Sequence, residues 1–293
     1  MTDTILVPTD GSPESERALN IAIPLAQALG LSITLFWCWE GLPEFEESFS
    51  ADFTTTITDR EITDRAAFAS SLAERRLAPL GIGVEIAQGA GHPAAEIVRI
   101  GEEMQPRLIA ISSHGRSGFK RWRLGSVADR VVRETTRDTV VVAPRDDVQL
   151  SDTIDRVVVP LDGSERAQVA LDDVLPIARA TGATLLLLRA YMAVVPTTPI
   201  GLDVAYEQAN EAARAAVEAY LGEVAAGLGE LPTETKIYSG DASSSIIAAA
   251  DDADLVVMSS HGRGGLARMA LGSVTDAVIR GSGKPVYVAR SDN

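Results

Sequence analysis

A single cysteine, Cys38, stands in the chain of 293 residues, which excludes an internal disulfide framework and any C-x-x-C site. Histidine is nearly as scarce. His92, His114 and His261 are the only three, and no HExxH or His/Cys cluster marks a dedicated metal site, so metal ligands stay unassigned. Basic residues are outnumbered, 26 Lys and Arg against 41 Asp and Glu, for a formal net charge of −15. That sign argues against a nucleic-acid binder, which needs cations to neutralise phosphates, and against docking on anionic lipid. Apolar runs fall far short of the ~20 residues that span a bilayer. Met1-Thr2-Asp3-Thr4 carries no basic residue and leads straight into a strand-like segment, so no signal peptide is expected. The expectation is a soluble, cytoplasmic chain that binds neither membrane nor nucleic acid. Also missing are a GxxxxGK[ST] phosphate loop, a GxGxxG after a strand and the GxSxG of hydrolases. No nucleophile–base–orienter trio is visible, and no catalytic residue is assigned.

The sequence does contain a repeat, the feature that most constrains its architecture. Ile5-Leu6-Val7-Pro8-Thr9-Asp10-Gly11-Ser12 returns as Val157-Val158-Val159-Pro160-Leu161-Asp162-Gly163-Ser164, an offset of 162 − 10 = 152. Ser112-Ser113-His114-Gly115-Arg116 returns unchanged at 259–263, and Leu124-Gly125-Ser126-Val127 at 271–274, both offset by 147. The landmarks keep their order, so two homologous domains are expected, 1–147 and 153–293, joined by the polar stretch around 145–152.

Each half alternates β-rich runs with helical patterns. Strands are expected at 4–8, 31–38, 82–88, 107–112 and 138–143, with helices near 13–29, 59–79, 93–104 and 126–136. The second half reads as strands at 155–160, 183–190, 233–239, 254–259 and 285–289, with helices near 165–181, 203–228, 243–250 and 273–281. Runs such as Leu185-Leu186-Leu187-Leu188 are continuously apolar, as parallel strands covered on both faces require. The fold class is therefore α/β, two five-stranded parallel open-sheet domains in tandem. Residues 40–56, acidic with scattered Phe and a Thr54-Thr55-Thr56 run, read as a surface loop or lid.

In open α/β sheets ligands bind beyond the carboxyl ends of the strands. Asp10 and Asp162 follow the first strand of each half and precede Gly-Ser. Such an Asp or Ser caps the next helix, or places a carboxylate where a ribose or base is held. After the fourth strand, Ser112-Ser113-His114-Gly115 leads in nine residues to Gly125-Ser126-Val127, and Ser259-Ser260-His261-Gly262 does the same to Gly272-Ser273-Val274. A glycine-serine pair opening a helix offers free amides and a hydroxyl to an anion. Between 112–127 and 259–274, 11 of 16 positions are identical, while 59–80 and the helix around 207–228 share almost nothing. Turn geometry accounts for the glycines but not for the retained Ser-Ser-His and Ser-Val, which points to a polyphosphate cradle.

These residues closely resemble the universal stress protein family in its tandem form. The resemblance spans essentially the whole chain and implies, in each half, a Rossmann-like fold of the adenine nucleotide α-hydrolase type. Nucleotide-binding members carry an Asp after the first strand and a G-x2-G-x9-G-[ST] signature. Here it reads Ser112-x2-Gly115-x9-Gly125-Ser126 and Ser259-x2-Gly262-x9-Gly272-Ser273, with serine for the first glycine in both halves. The implied ligand is ATP with Mg2+. Asp10 and Asp162 would contact the adenosine, and Pro8, Thr9, Pro160 and Leu161 would shape the adenine pocket with Cys38 and Ala190. The phosphates would be held by Gly115, Arg116, Gly118, Gly125, Ser126 and Val127, and in the second half by Gly262, Arg263, Gly265, Gly272, Ser273 and Val274. Ser112, His114, Ser259 and His261 share those loops and belong to the same cofactor-binding set. Gly91-His92-Pro93 and Gly240-Asp241-Ala242 match the family's turn after strand three and are read as structural.

Four cations, Arg116, Lys120, Arg121 and Arg123, fall in the first loop, against Arg263 and Arg268 in the second, so tighter binding is expected at the first site. The apolar last strands lie at sheet edges. In the family that edge joins two domains, which implies an intrachain pseudo-dimer and leaves a homodimer open. The expected function is adenine-nucleotide binding in stress response or regulation, with at most slow ATP hydrolysis. One alternative is an interaction or ligand-binding protein that takes no nucleotide, which the serine-for-glycine changes favour. Another is an adenylate-forming enzyme, which demands an additional substrate pocket.

Overall fold

The computed structural model describes residues 2–40, 51–113, 124–143, 151–193, 203–260 and 271–290. Contacts divide the chain into two compact units, Met1–Asp152 and Thr153–Asn293. The first unit runs β1 (Thr2–Pro8), α1 (Pro13–Glu16), α2 (Leu19–Leu29), β2 (Ser32–Trp39), α3 (Ala51–Arg76) and β3 (Val84–Ala90), then α4 (Pro93–Met104), β4 (Pro106–Ser112), α5 (Ser126–Glu134) and β5 (Thr139–Val142). Its strands lie in the order β3-β2-β1-β4-β5, and every described pairing among them is parallel.

The second unit repeats the plan with β6 (Arg156–Pro160), α6 (Glu165–Thr181), β7 (Thr184–Tyr191), α7 (Asp203–Gly227) and β8 (Thr233–Ser239), then α8 (Ala242–Ala250), β9 (Leu255–Ser259), α9 (Ser273–Gly281) and β10 (Val286–Ala289). Its order is β10-β9-β6-β7-β8, again parallel within the unit. The apolar runs explain the central strands. Ile5, Leu6 and Val7, and Val157, Val158 and Val159, are at most 1% exposed, which a strand achieves only with helices on both faces. Among the described residues no helix is long and apolar enough to cross a membrane.

Two sequence expectations change. The helix expected over 13–29 is broken into α1 and α2, with the Arg17 and Ala18 amides bonded three residues back, to Glu14 and Ser15. Ser15 is the cause: its buried hydroxyl donates to the Ser12 carbonyl at 2.8 Å and pairs with Thr9 Oγ1 at 2.9 Å, pulling the first turn off the α-helical path. α6, with Ala167 in that place, runs unbroken. The loop expected over 40–56 is also shorter, because α3 already begins at Ala51. The Thr54–Thr56 run, poor in helix propensity, hid its first turns; residues 41–50 lie outside the described residues.

The strand order positions the site. From β1 the chain moves outward to β2 and β3, then returns to lay β4 on the other side of β1. Neighbouring connections diverge there, and a crevice opens at the carboxyl ends of β1 and β4.

Candidate functional site

At the end of β1 the Thr9 amide still bonds the Phe36 carbonyl of β2, at 2.8 Å. The chain then turns at Gly11, whose φ of 82° is in the left-handed region that favours glycine. Asp10 Oδ1 accepts from the Ser12 amide at 2.9 Å and the Ser12 hydroxyl at 2.6 Å. Ser12 Oγ accepts from the Ser15 amide at 3.1 Å, capping α1. The second unit builds the same turn: Asp162 Oδ1 accepts from Ser164 N at 2.9 Å and Ser164 Oγ at 2.6 Å, and Ser164 caps α6. Both Asp residues therefore have a structural task at the crevice.

At the end of β4 the Ser113 amide bonds Val142 of β5 at 2.8 Å, and the Ser113 carbonyl accepts from the Gly125 amide at 2.7 Å. That bond seats the first turn of α5 beside the sheet edge. Ser260 and Gly272 repeat it at 2.9 Å. Gly125 and Gly272 are the N-cap residues of α5 and α9, extended, with no side-chain cap. By contrast, α1, α6 and α8 carry side-chain caps from Ser12, Ser164 and Asp241. The first amides of α5 and α9 have no acceptor within their own helix, and the helix dipole places partial positive charge at that end.

A cavity of about 360 Å³ opens between these elements in the first unit, inside the roughly 300–1,000 Å³ range of small-molecule sites. At the β4 and α5 side it is lined by Ser112, Ser113, Gly125, Ser126, Val127 and Ala128; at the β2 side by Phe36, Cys38, Glu40, Arg65, His92, Pro93 and Ile97, with Pro8, Thr9, Asp10 and Ser15 between. The β4 and α5 end, which also includes Ile111, offers helix amides and hydroxyls, while the β2 end mixes the apolar Phe36, Pro93 and Ile97 with Glu40, Arg65 and His92. Ser112 is 7% exposed, and its hydroxyl has no hydrogen-bond partner among the described residues. A buried hydroxyl without a partner is costly; Thr139 Oγ1 and the Tyr220 hydroxyl share that state elsewhere among the described residues.

Cys38 donates its thiol to the Gly91 carbonyl at 3.3 Å. Burial pushes this thiol up to about 11, with the Glu96 and Glu40 carboxylates adding to the shift. It is a protonated, weakly polar wall rather than a nucleophile. Among the described residues no group of three His, Cys, Asp or Glu could hold a metal ion.

Of the residues expected from sequence, Pro8, Thr9, Asp10, Cys38, Ser112, Gly125, Ser126 and Val127 all meet at this cavity. In the second unit Asp162, Gly272 and Ser273 occupy the equivalent turn and helix opening, and Val274 follows in α9. Pro160 ends β6, Leu161 is buried, Ala190 pairs with Tyr238 in β8, and Ser259 ends β9. His114, Gly115, Arg116, Gly118, His261, Gly262, Arg263 and Gly265 lie outside the described residues, as do Lys120, Arg121, Arg123 and Arg268.

The sequence missed Ser15, Phe36, Arg65 and Ile97, which reach the site from helix or strand interiors. The turn Gly91-His92-Pro93, read as structural, also lines the cavity through His92 and Pro93. His92 is the N-cap of α4 without capping it. Asp241, its counterpart, does cap α8, and hydrogen bonds from Ser243 and Ser244 hold its carboxyl below the usual range.

A model described as the universal stress protein family matches residues 1–143 and again 153–290. Universal stress protein Rv2005c of Mycobacterium tuberculosis is 31% identical over 202 residues, covering 68% of this chain and 66% of that protein. The match thus spans just under two thirds of that relative's length. Universal stress protein Rv2623 of the same organism is 26% identical over 302 residues, covering 98% of this chain and 96% of its own. Among solved structures, a universal stress protein from Archaeoglobus fulgidus shares the fold with a TM-score of 0.70, at 24% identity over 99% of this chain and 97% of its own.

Proposed function

Since the chain belongs to the universal stress protein family and carries two of its domains in tandem, we propose that the first-unit cavity binds an adenine nucleotide, ATP with magnesium, and that occupancy serves stress response or regulation. The observation that carries this reading is the uncapped α5 N-terminus opening on one end of a cavity whose other end sets Phe36, Pro93 and Ile97 beside Glu40, Arg65 and His92. A nucleotide has that polarity: an anionic chain suited to helix amides, and a flat base suited to Phe36, Pro93 and Ile97.

Asp10 fits the ribose between the two ends, beside Thr9. Magnesium would enter with the phosphates it neutralises. Asp162 and the Gly272-capped α9 repeat the arrangement in the second unit, which supports a second site there. The reading is one of binding with at most slow hydrolysis, and no residue is assigned to turnover. A second reading, a ligand other than a nucleotide, is favoured by Ser112 standing where the signature has glycine, since its side chain takes up space at the cavity wall.

Denaturing the purified protein and quantifying what it releases separates the two. Adenine nucleotide near one or two per chain supports the first reading. None released, together with no thermal shift in millimolar MgATP, supports the second.

A further inference from the structure

We propose that Arg65 of α3 is a further binding residue that packs its guanidinium on the base of the bound nucleotide; this rests on the nucleotide reading of the same cavity. Arg65 lies outside every signature element, yet it lines the cavity wall. Its Nη1 reaches the Cys38 carbonyl at the end of β2, at 3.5 Å, a distance at the limit of a hydrogen bond. Among the described residues it has no carboxylate partner, although its neighbour Asp64 sits 4.0 Å from Arg60. Arg65 is half-buried, it shares the cavity wall with Glu40, and its guanidinium rests at the end of β2.

Its position selects which end of the ligand it meets. β2 and β4 flank β1, and adjacent strands are about 4.8 Å apart, so the end of β2 lies about 10 Å from the end of β4 and the α5 amides. Arg65 is therefore at the β2 end, with Phe36, Pro93 and Ile97, opposite the phosphate-suited one. It also borders a smaller cavity of about 150 Å³, with Trp37 and Phe68, that shares Thr9 and Asp10 with the first. A guanidinium is flat and weakly hydrated, and it stacks on aromatic planes in a way an ammonium does not.

The second unit carries the same residue. Arg65-Ala66-Ala67 returns as Arg214-Ala215-Ala216, an offset of 214 − 65 = 149. Leu72 and Leu221, both buried, and the first residues of β3 and β8, Val84 and Thr233, share that offset. The arginine thus holds one register, two turns before a buried leucine, in helices that otherwise diverge.

Calorimetric titration of wild type, Arg65→Met and Arg65→Lys with ATP and with adenosine tests the assignment, with Arg65→Gln as a second neutral variant should Met disturb folding. Loss of both ligands by the same factor, about five- to thirty-fold, with Lys restoring little of it, is the expected result. Unchanged affinity in the neutral variants, a loss confined to ATP, full rescue by Lys, or wild type that binds ATP but not adenosine each overturns the role given to Arg65. Wild type that binds neither ligand at millimolar concentration is a different outcome, one that removes the nucleotide reading and this inference with it.

Discussion

Asp10 holds Ser12 twice, through the Ser12 amide at 2.9 Å and the Ser12 hydroxyl at 2.6 Å, both on the one oxygen Oδ1. Ser12 in turn caps α1, so the carboxylate proposed to meet a ribose also shapes the turn that presents it. The two tasks separate by mutation. Asp10→Asn keeps an oxygen acceptor for Ser12 but removes the charge. Its unfolding free energy should change by no more than about 0.5 kcal/mol, while ATP affinity falls about tenfold or more, the scale of a hydrogen bond to a charged group. Ser12→Ala removes the cap and should cost about 1 kcal/mol of stability with affinity nearly kept. Urea melts and titrations on both variants decide it. If Asp10→Asn is destabilised as Ser12→Ala is and binds ATP like wild type, the carboxylate is a cap alone.

Ser112 makes the opposite prediction for stability. Its buried hydroxyl lacks a partner among the described residues, and such a group costs about 1–3 kcal/mol. Ser112→Ala should therefore stabilise the ligand-free protein by roughly 1 kcal/mol and reduce the thermal shift given by MgATP. A variant that loses stability in the ligand-free state would place a partner on this hydroxyl and remove it from the ligand's surroundings.

What the sequence revealed and what it concealed divide along physical lines. Strands such as β6 and β7 were legible because both faces are buried and the apolar run is unbroken. Asp10 and Gly125 were legible because the repeat preserves them in loops, where packing alone does not select residue type, and Ser112 because the repeat preserves it at the end of β4. Arg65 was not legible, because it is one polar residue of a long helix and only the fold brings it to the end of β2. The break between α1 and α2 was hidden for a related reason: it depends on a buried contact of Ser15 with Thr9, a tertiary effect that no helical period encodes.

Alkaline pH offers a test of the cavity wall. The Cys38 thiol is raised by burial first, and by Glu96 and Glu40, from an ordinary value of 9.0 to about 11. The native state thus holds its proton in a range where the unfolded chain has lost it, so the stability associated with this group is intact below pH 9 and declines as pH rises through 11. Between pH 8 and 10.5, wild type should lose more stability than Cys38→Ala. Equal losses would mean that the thiol is not desolvated in the folded protein. The same burial predicts slow alkylation by iodoacetamide at pH 8, slower still with ATP bound.

The two units should differ as ligand sites. In the first, Thr9 and Ser15 pair their hydroxyls at 2.9 Å beside the cavity; the corresponding residues of the second, Leu161 and Ala167, are apolar and buried. The first loop also carries four cations against two in the second. Asp10→Ala should therefore remove the tighter, more salt-sensitive phase of ATP binding, and Asp162→Ala the weaker one. Calorimetry at low and moderate ionic strength reads both phases; equal losses from the two variants would count against the asymmetry.

Gly89 in β3 tests whether the apolar wall is filled to its limit. It pairs with Cys38 across the sheet, and a Cβ there would lie 2.8 Å from Phe36 Cζ and 2.9 Å from Glu96 Oε2. Glu96 is the end of a flexible side chain and can swing aside. Phe36 is 1% exposed, so its ring can yield only by pushing into the core or into the cavity. Overpacking of this kind costs about 1–3 kcal/mol. Gly83→Ala is the matched control, because its Cβ would meet only Ser32 Cβ at 3.5 Å, an ordinary contact. Urea melts should therefore show Gly89→Ala destabilised within that range and Gly83→Ala nearly neutral. Adenosine binding should weaken in Gly89→Ala alone, because the displaced ring narrows the end of the cavity where the base is proposed to sit. Equal stability in the two variants would mean that Phe36 has room to move and that the wall is looser than its burial indicates.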